Sequence, residues 1–592
     1  MLRSRSSHRR SDVAWHPEFT RRRNLNLRDL GKSYPEWRAE SEAESPGEGV
    51  VPAQDALRDA DIVSMYMMDD GEDGEDGEDS EDSEKSAAAH KVEEFCPKTT
   101  LGRLMTGGAG GGPSSKLVAL FVERGLDGGI ISERHNCGPK TAPQLYQGLR
   151  EPRGQSNDTH PSDVRHRHVF LTDLDPWGIC AIFGGAPRYH RNAIRSLIYR
   201  HLQPRPYIRV NIRPDGRRFE FEFHLHHTLT RHSNEPNVDT RRFAAKDTPL
   251  REYRNVSYLN LKANRRQTHR YEAQISYLLT GWDESTWDTY CIKDNYFKSG
   301  KGGESLKEIY EEVSQAADES VAIDPSTRCE PEPDTPTPDP RQKFLRTLRY
   351  NLKRVEVEYG RNTDRVCDSI RDYTLSEHDR QRPSERRPSD LKVHGLSTIE
   401  WITKVKDLSE LFLMELSDLV DVTDGFLDAY QTLFTTDLCT PQVSKIRDIL
   451  REMECLKKSL VNAITVCKSL DESEQNRLKQ SSADAGRKAE FLSKFIYPVL
   501  ITAGMFSMEK QVLPFKENTA TFLCALLFIG LLIHLSYDWS WYRELVVSAA
   551  DSVGLRRGAA NSSPYDQSAE PAESRTPTSR WRRRDLQAAA PV

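Results

Sequence analysis

CxxC cysteine pairs and a catalytic signature are both missing from this chain of 592 residues. Its ten cysteines are scattered with no CxxC spacing, so neither a zinc site nor a disulfide framework is indicated. Reduced, cytosol-facing thiols are the expectation. The start, MLRSRSSHRRSDVAWHPEF, is basic but has no apolar core behind it, so no secretory signal is expected. It is Arg- and Ser-rich like a transit peptide, but Asp12, Glu18 and the lack of amphipathic spacing argue against that reading. No GxSxG, HExxH or Walker sequence occurs, and no paired carboxylates stand on an identifiable scaffold. The chain is therefore expected not to be an enzyme and to need no cofactor. Apolar residues are also scarce, at 36% against 29% charged. That balance is poor for a globular enzyme of this length and predicts that much of the chain is disordered.

What the chain does have is two apolar runs near its end. Phe495–Met508 and Ala520–Tyr537 flank the polar loop EKQVLPFKENT. At ~1.5 Å per helical residue the second run covers roughly 27 Å, close to the ~30 Å hydrocarbon core of a bilayer. Trp539, Trp541 and Tyr542 follow it as an aromatic belt. The first run reaches spanning length if Phe491 and Leu492 join it and Lys494 snorkels to the headgroups. A buried helical hairpin in a soluble core is the alternative. Arg487, Lys488 and Lys494 precede or open the first span, and Arg543, Arg556 and Arg557 follow the second. In the loop, Lys510 and Lys516 balance Glu509 and Glu517. Both termini are thus expected on the cytosolic side of a two-span membrane hairpin over residues 491–542, with lipid as a partner.

The net charge of −6 conceals strongly signed blocks. Residues 1–160 read as disordered, basic and then acidic, with DDGEDGEDGEDSEDSE at Asp69–Glu84. That run lacks the EF-hand spacing, so a solvated tail is expected rather than a calcium site. Gly107–Gly112 with Lys116 lacks the ending of a phosphate loop and reads as a linker. Residues 161–300 read as a cytosolic mixed α/β domain with a largely antiparallel sheet. A strand is predicted at Val169–Thr172, a helix at His190–Leu202, and a hairpin with Ile208, Val210 and Ile212 before Pro214-Asp215-Gly216. Phe219, Phe221, Phe223 and Leu225 alternate on the return strand, and further strands are expected at Asn255–Leu261 and Tyr271–Leu279. His224 and His226, with His227 and His232 nearby, have a spacing that can chelate zinc. They fall on the face expected to be solvated, however, and lack a Cys or Glu partner at recognisable spacing.

Residues 301–340 form a Pro-rich acidic linker, and 341–490 a helical and coiled-coil region. Leu345, Leu348, Leu352, Val355 and Tyr359 mark one helix. Leu408, Leu411, Phe412, Leu416, Leu419 and Val422 mark a second, with Glu415 interrupting the stripe. After Thr440-Pro441, a predicted helix start, Ile446, Ile449, Met453, Leu456, Leu460, Ala463, Cys467 and Leu470 follow 3-4 spacing. That is the seam of a coiled coil, or of a bundle helix packing on its neighbours. Continued through Asp471–Glu490, the helix would run directly into the first span. Residues 543–592 read as a disordered cytosolic tail. Its Arg580–Arg584 cluster is too short to predict a nucleic-acid partner.

The order of these elements, with Gly504-Met505 closing the first span, resembles the CorA-type magnesium channel family. The Asp173–Phe297 region also resembles the soluble part of CorA-like proteins from filamentous fungi. The resemblance implies an α+β membrane protein: a cytosolic α/β domain, a helical stalk, a two-helix hairpin and disordered termini. It implies a homo-oligomer joined through the stalk, with Mg²⁺ as cargo. In that family a Gly-Met-Asn triplet ends the first span, and the Asn is taken to hold the hydration shell of the incoming ion. Here Phe506 stands at that position, so the motif is degenerate. The pore entrance implied by the resemblance is Gly504, Met505, Phe506, Glu509 and Glu517, with Thr502 lining the pore. Two functions remain in view: a divalent cation transporter with a degenerate entrance, and a membrane-anchored coiled-coil protein that regulates or binds without transport.

Overall fold

Along the strand Phe219–His232, side chains alternate between two helical layers, and this alternation explains the architecture. The computed structural model describes residues 15–21, 23, 31–43, 61–68, 79–97, 99–106, 116–124, 138–151, 164–213, 218–261, 267–298, 306–309, 311, 324–327, 339–380, 396–507 and 518–532. It divides into one unit up to Asn476 and a second from Arg477. In the first unit the early elements are α1 (Tyr34–Ala43), α2 (Ile62–Met67), α3 (Asp79–Phe95), α4 (Leu101–Thr106), β1 (Leu117–Arg124), β2 (Gly138–Thr141) and α5 (Ala142–Arg150). Next come β3 (His166–Thr172), α6 (Pro176–Gly185), α7 (Arg191–His201), β4 (Tyr207–Ile212), β5 (Phe219–His232), β6 (Arg242–Phe243), β7 (Thr248–Pro249), β8 (Tyr253–Asn255), β9 (Thr268–Asp283) and β10 (Thr286–Lys293). The long helices α8 (Pro340–Arg380), α9 (Thr398–Ala429) and α10 (Thr440–Phe491) complete the set.

The main sheet runs β2-β1-β3-β10-β9-β5-β4, with β8 paired to β9. Only β3 and β10 pair in parallel; the other pairs are antiparallel. On one face, Phe219, Phe221, Phe223 and Leu225 share a core with Ile275, Tyr277 and Leu279 and with α8, α9 and α10. On the other, Ala119, Phe121, Val169, Leu171, Tyr290 and Ile292 pack under α1–α7. A sheet covered on both faces has little solvated surface. Helix α6 lies close to α5: a Cβ on Gly185 would stand 2.9 Å from both Leu149 Cβ and the Tyr146 carbonyl.

Several sequence expectations are corrected here. Within 1–160, expected to be disordered, β1, β2 and α1–α5 are ordered, and β1 is an interior strand of the sheet. The apolar run VALFV, Val118–Val122, flanked by glycine-rich and polar stretches, supplies its buried apolar residues. The acidic run does not lie wholly in a tail, because its last six residues open α3. Asn255–Leu261 is not a strand: β8 ends at Asn255 and a 3-10 turn follows at Ser257–Leu259. Strand β10 was not anticipated. In the linker 301–340, Asp324, Ser326 and Thr327 are buried, and Asp324 meets Lys343 at 2.8 Å. The tip of the β4–β5 hairpin, Pro214–Gly216, lies outside the described residues, as do the Gly107–Gly112 linker and the tail 543–592.

The helical expectations fare better. Helix α9 begins at Thr398 behind a capping box of Ser397 and Glu400. Glu415 is drawn into its stripe because Tyr359 Oη donates to it at 3.0 Å. Helix α10 begins at Thr440 itself, one residue earlier than an N-cap at that position would place it. Its seam residues Ile446, Ile449, Met453, Leu460, Ala463 and Cys467 are buried in the same core as α8 and α9, while Leu456 and Leu470 are partly buried. The packing observed is that of a bundle helix within one chain.

Candidate functional site

The second unit carries the residues that the sequence singles out for a pore. Helix α10 passes without a break into a π-turn at Leu492–Ile496 and then into α11 (Tyr497–Phe506), as expected for a helix that continues past Glu490. Such wide turns absorb one extra residue, and Pro498 follows in the first turn of α11. A further helix, α12, covers 519–532. Among the described residues no helix is long and apolar enough to cross a membrane. The predicted second span runs to Tyr537, and 533–537 lie outside the described residues.

Both helices expose apolar side chains. Phe495 is 62% exposed, Leu500 59%, Leu527 73% and Phe528 61%. Runs of exposed apolar side chains of this kind suit an interaction with lipid or protein. On α12 the half-buried positions Thr521, Phe522, Ala525, Leu526, Ile529 and Gly530 recur on one side at four-residue spacing. That side is the packed one.

Thr502, expected to line a pore, is buried, and its Oγ1 donates to the Pro498 carbonyl at 2.6 Å. This bond within the helix uses its hydroxyl proton, leaving the oxygen lone pairs as acceptors. Gly504 and Met505 form the last turn of α11. The Ser507 N–H closes it onto the Ala503 carbonyl at 3.0 Å and the Gly504 carbonyl at 3.3 Å, and Ser507 Oγ also donates to Gly504 at 2.8 Å. A Cβ at Gly504 would meet nothing within 4 Å, so no contact among the described residues demands glycine there. The backbone of Phe506 ends the helix. Glu509 and Glu517 lie outside the described residues. The structure thus brings Thr502, Gly504, Met505 and the Phe506 backbone together at a helix C-terminus, where partial negative charge gathers on unpaired carbonyls.

The histidines of the sheet are placed differently from expectation. His224 and His226 are buried, because the face of β5 opposite the phenylalanines lies under α7 rather than in water. His224 Nε2 meets Glu222 at 2.8 Å, and its Nδ1 meets Ser276 Oγ at 2.8 Å. His201 Nδ1 meets the same hydroxyl at 2.8 Å. One serine proton serves only one of these rings, so the other donates to the oxygen and the two tautomers are linked. Among the described residues no group of three or more His, Cys, Asp or Glu side chains is placed to hold a metal ion.

Beside these histidines sits a buried ionic cluster that sequence reasoning missed. Asp294 accepts from Arg241 Nη1 at 2.8 Å, Arg251 Nε at 2.7 Å and the Gln274 N–H at 2.9 Å. Arg241 also forks onto Asp239 at 2.8 Å. Burial acts to raise the Asp294 carboxyl, but Arg251, Arg241 and His201 outweigh it and hold it well below the usual carboxylate range. Burial pushes His201 down to about 4, His226 to about 3 and His227 to about 4. These residues are contributed by α7, β5 and the segments around β6–β10, with no local spacing to mark them. Their arrangement is that of a packed polar core.

No protein-family model and no curated protein matches this chain. Among solved structures it is similar to the full-length CmaX protein, at 9% identity and a TM-score of 0.37, over 72% of this chain and 98% of that one. It is similar to the CorA magnesium transporter of Methanocaldococcus jannaschii, at 11% identity and 0.34, over 72% and 98%. It is also similar to the ZntB cytoplasmic domain of Vibrio parahaemolyticus RIMD 2210633, at 8% and 0.30, over 62% and 100%.

Proposed function

We propose that this chain is a CorA-like integral membrane protein of the fungal type, acting on a divalent cation, Mg²⁺, through a degenerate pore entrance. The observation that carries the reading is the helical path from Thr440 to Phe506, whose last part, from Phe491 onward, exposes apolar side chains and ends on Gly504-Met505. In this reading residues 491–508 and 520–537 span the bilayer and both termini are cytosolic. Copies of the chain associate around a pore. The C-terminal carbonyls of α11 from each copy would then form a ring that favours a hydrated cation. Mg²⁺ sheds its water reluctantly, so a mouth that accepts the hydrated ion has a physical rationale.

Phe506 weakens that mouth, because a phenyl ring offers neither an amide oxygen nor an N–H to the hydration shell. Transport is expected to be weak. The same residue favours a second reading, a membrane-anchored protein that keeps the helical architecture for interaction or regulation without conduction. Mg²⁺ flux into liposomes holding the purified protein separates the two. Weak native flux that rises with Phe506→Asn supports the transporter; no flux from either form supports the anchor.

A further inference from the structure

Between β5, α8 and α10 of the first unit lies a cavity of about 940 Å³, within the usual range for small-molecule sites. Its charge is one-sided: eight lysines and arginines line it against three carboxylates. Helix α8 supplies the main bank. Arg349, Lys353, Arg361 and Arg365 recur at multiples of four residues, a slow drift around the helix that keeps each of them on the cavity lining. Arg231 joins from β5 and Lys445 from α10.

The three carboxylates already have cationic partners. Glu358 accepts both terminal nitrogens of Arg231 at 2.8 Å and Arg361 Nη1 at 3.1 Å. Glu452 accepts from Lys353 at 2.6 Å, and Asp448 from Arg451, outside the cavity lining, at 2.6 Å. Lys298, Arg349 and Arg354 make further contacts of their own, and Arg365 and Lys445 are the lining cations of interest. Burial, and then the neighbouring Arg231 guanidinium, lower the pKa of Arg365. Its Nη1 is buried with no hydrogen-bond partner among the described residues. Gathering cations against a low-dielectric wall is costly unless an anion neutralises them. Guanidinium forks match the oxygens of phosphate in geometry and charge.

We propose that this cavity binds a small polyphosphate anion, such as a nucleoside triphosphate, between the basic face of α8 and Lys445 of α10. Tyr350 also lines the cavity and offers a ring on which a base can stack. The site joins the sheet domain to the helix that leads towards the second unit, and it does not depend on the transport reading.

The test is titration calorimetry of the full chain in detergent with inorganic triphosphate, ATP and adenosine. Vesicles carrying a phosphorylated inositol lipid form a separate arm. Saturable binding of triphosphate is expected. Arg365→Gln combined with Lys445→Gln should weaken it at least ~10-fold. Arg371→Gln, on the exposed part of α8 with its side chain 67% accessible, should not. If the double variant does not fold, Lys445→Gln alone, on an exposed side chain, should still weaken binding. ATP binding more tightly than triphosphate supports stacking on Tyr350, and equal binding supports recognition of phosphate alone. No saturable binding up to ~1 mM overturns the proposal. So do unchanged binding by the folded variants, adenosine matching ATP, and binding of the lipid vesicles without the soluble anion.

Discussion

At the scale of single residues, Asp294 holds the most consequential position in the first unit. It is the shared counter-charge of Arg241 and Arg251 and accepts a third bond from the Gln274 backbone. Asp294→Asn would keep the shape and remove the charge, leaving Arg241 with Asp239 and the nearby Asp173, and Arg251 with the His201 carbonyl. Removing one partner of a buried pair typically costs about 3–5 kcal/mol, and urea denaturation should show a loss of that size. The neighbouring histidines predict a pH dependence. His201, His226 and His227 are held neutral by burial, with folded values of about 4, 3 and 4 against an ordinary 6.5. The unfolded chain therefore binds more protons below pH 6.5, and stability falls as pH drops through the folded values. Thermal melts should show a falling midpoint between pH 6.5 and pH 4; a flat profile there would contradict the assignment. None of this was legible in the sequence, which put His224 and His226 on a wet face. Alternation shows that two faces differ, but not that the second face is covered by a helix formed from distant residues.

At the scale of elements, the long helices were the most readable part of the chain, because their 3-4 periodicity is local and survives any tertiary arrangement. The apolar stripe of α9 and the continuous path from Thr440 past Glu490 were both visible. What faces the α10 seam was not visible, since the same spacing serves a coiled coil between chains and a bundle within one. The structure places Leu460 fully inside the core and Leu456 at its edge. Leu460→Ala should accordingly cost about 2–5 kcal/mol, and Leu456→Ala clearly less, by denaturant midpoints of the two variants. Equal losses would mean that Leu456 is covered by something beyond this chain. Strands were less readable. β1 and β2 are separated from the rest of the domain by glycine-rich and polar stretches that read as linker, and β10 carries Asp288 and Lys293 within a buried strand.

At the scale of the whole molecule, the chain runs on from α10 through Phe491 into a segment that exposes apolar side chains. Membrane insertion makes a chemical prediction. Cys455 is exposed on α10 and Cys524 is exposed on α12, yet only the second falls within a proposed span. In variants that retain just one of the two, a membrane-impermeant maleimide should label Cys455 in cytosol-side-out vesicles and leave Cys524 unlabelled until detergent is added. Equal labelling of both in intact vesicles would place 520–537 in water. The candidate entrance was legible only as far as Gly504-Met505, because a motif of three residues names positions and not the surroundings that give them a task.

The central claim is that this architecture presents a cation entrance impaired by one side chain. Mg²⁺ flux into liposomes, measured for the native protein and for Phe506→Asn at matched protein incorporation, tests it most directly. The account predicts weak native flux and at least a ~10-fold gain in the variant, equivalent to about 1.4 kcal/mol at the barrier. Robust native flux that Phe506→Asn does not increase would contradict it.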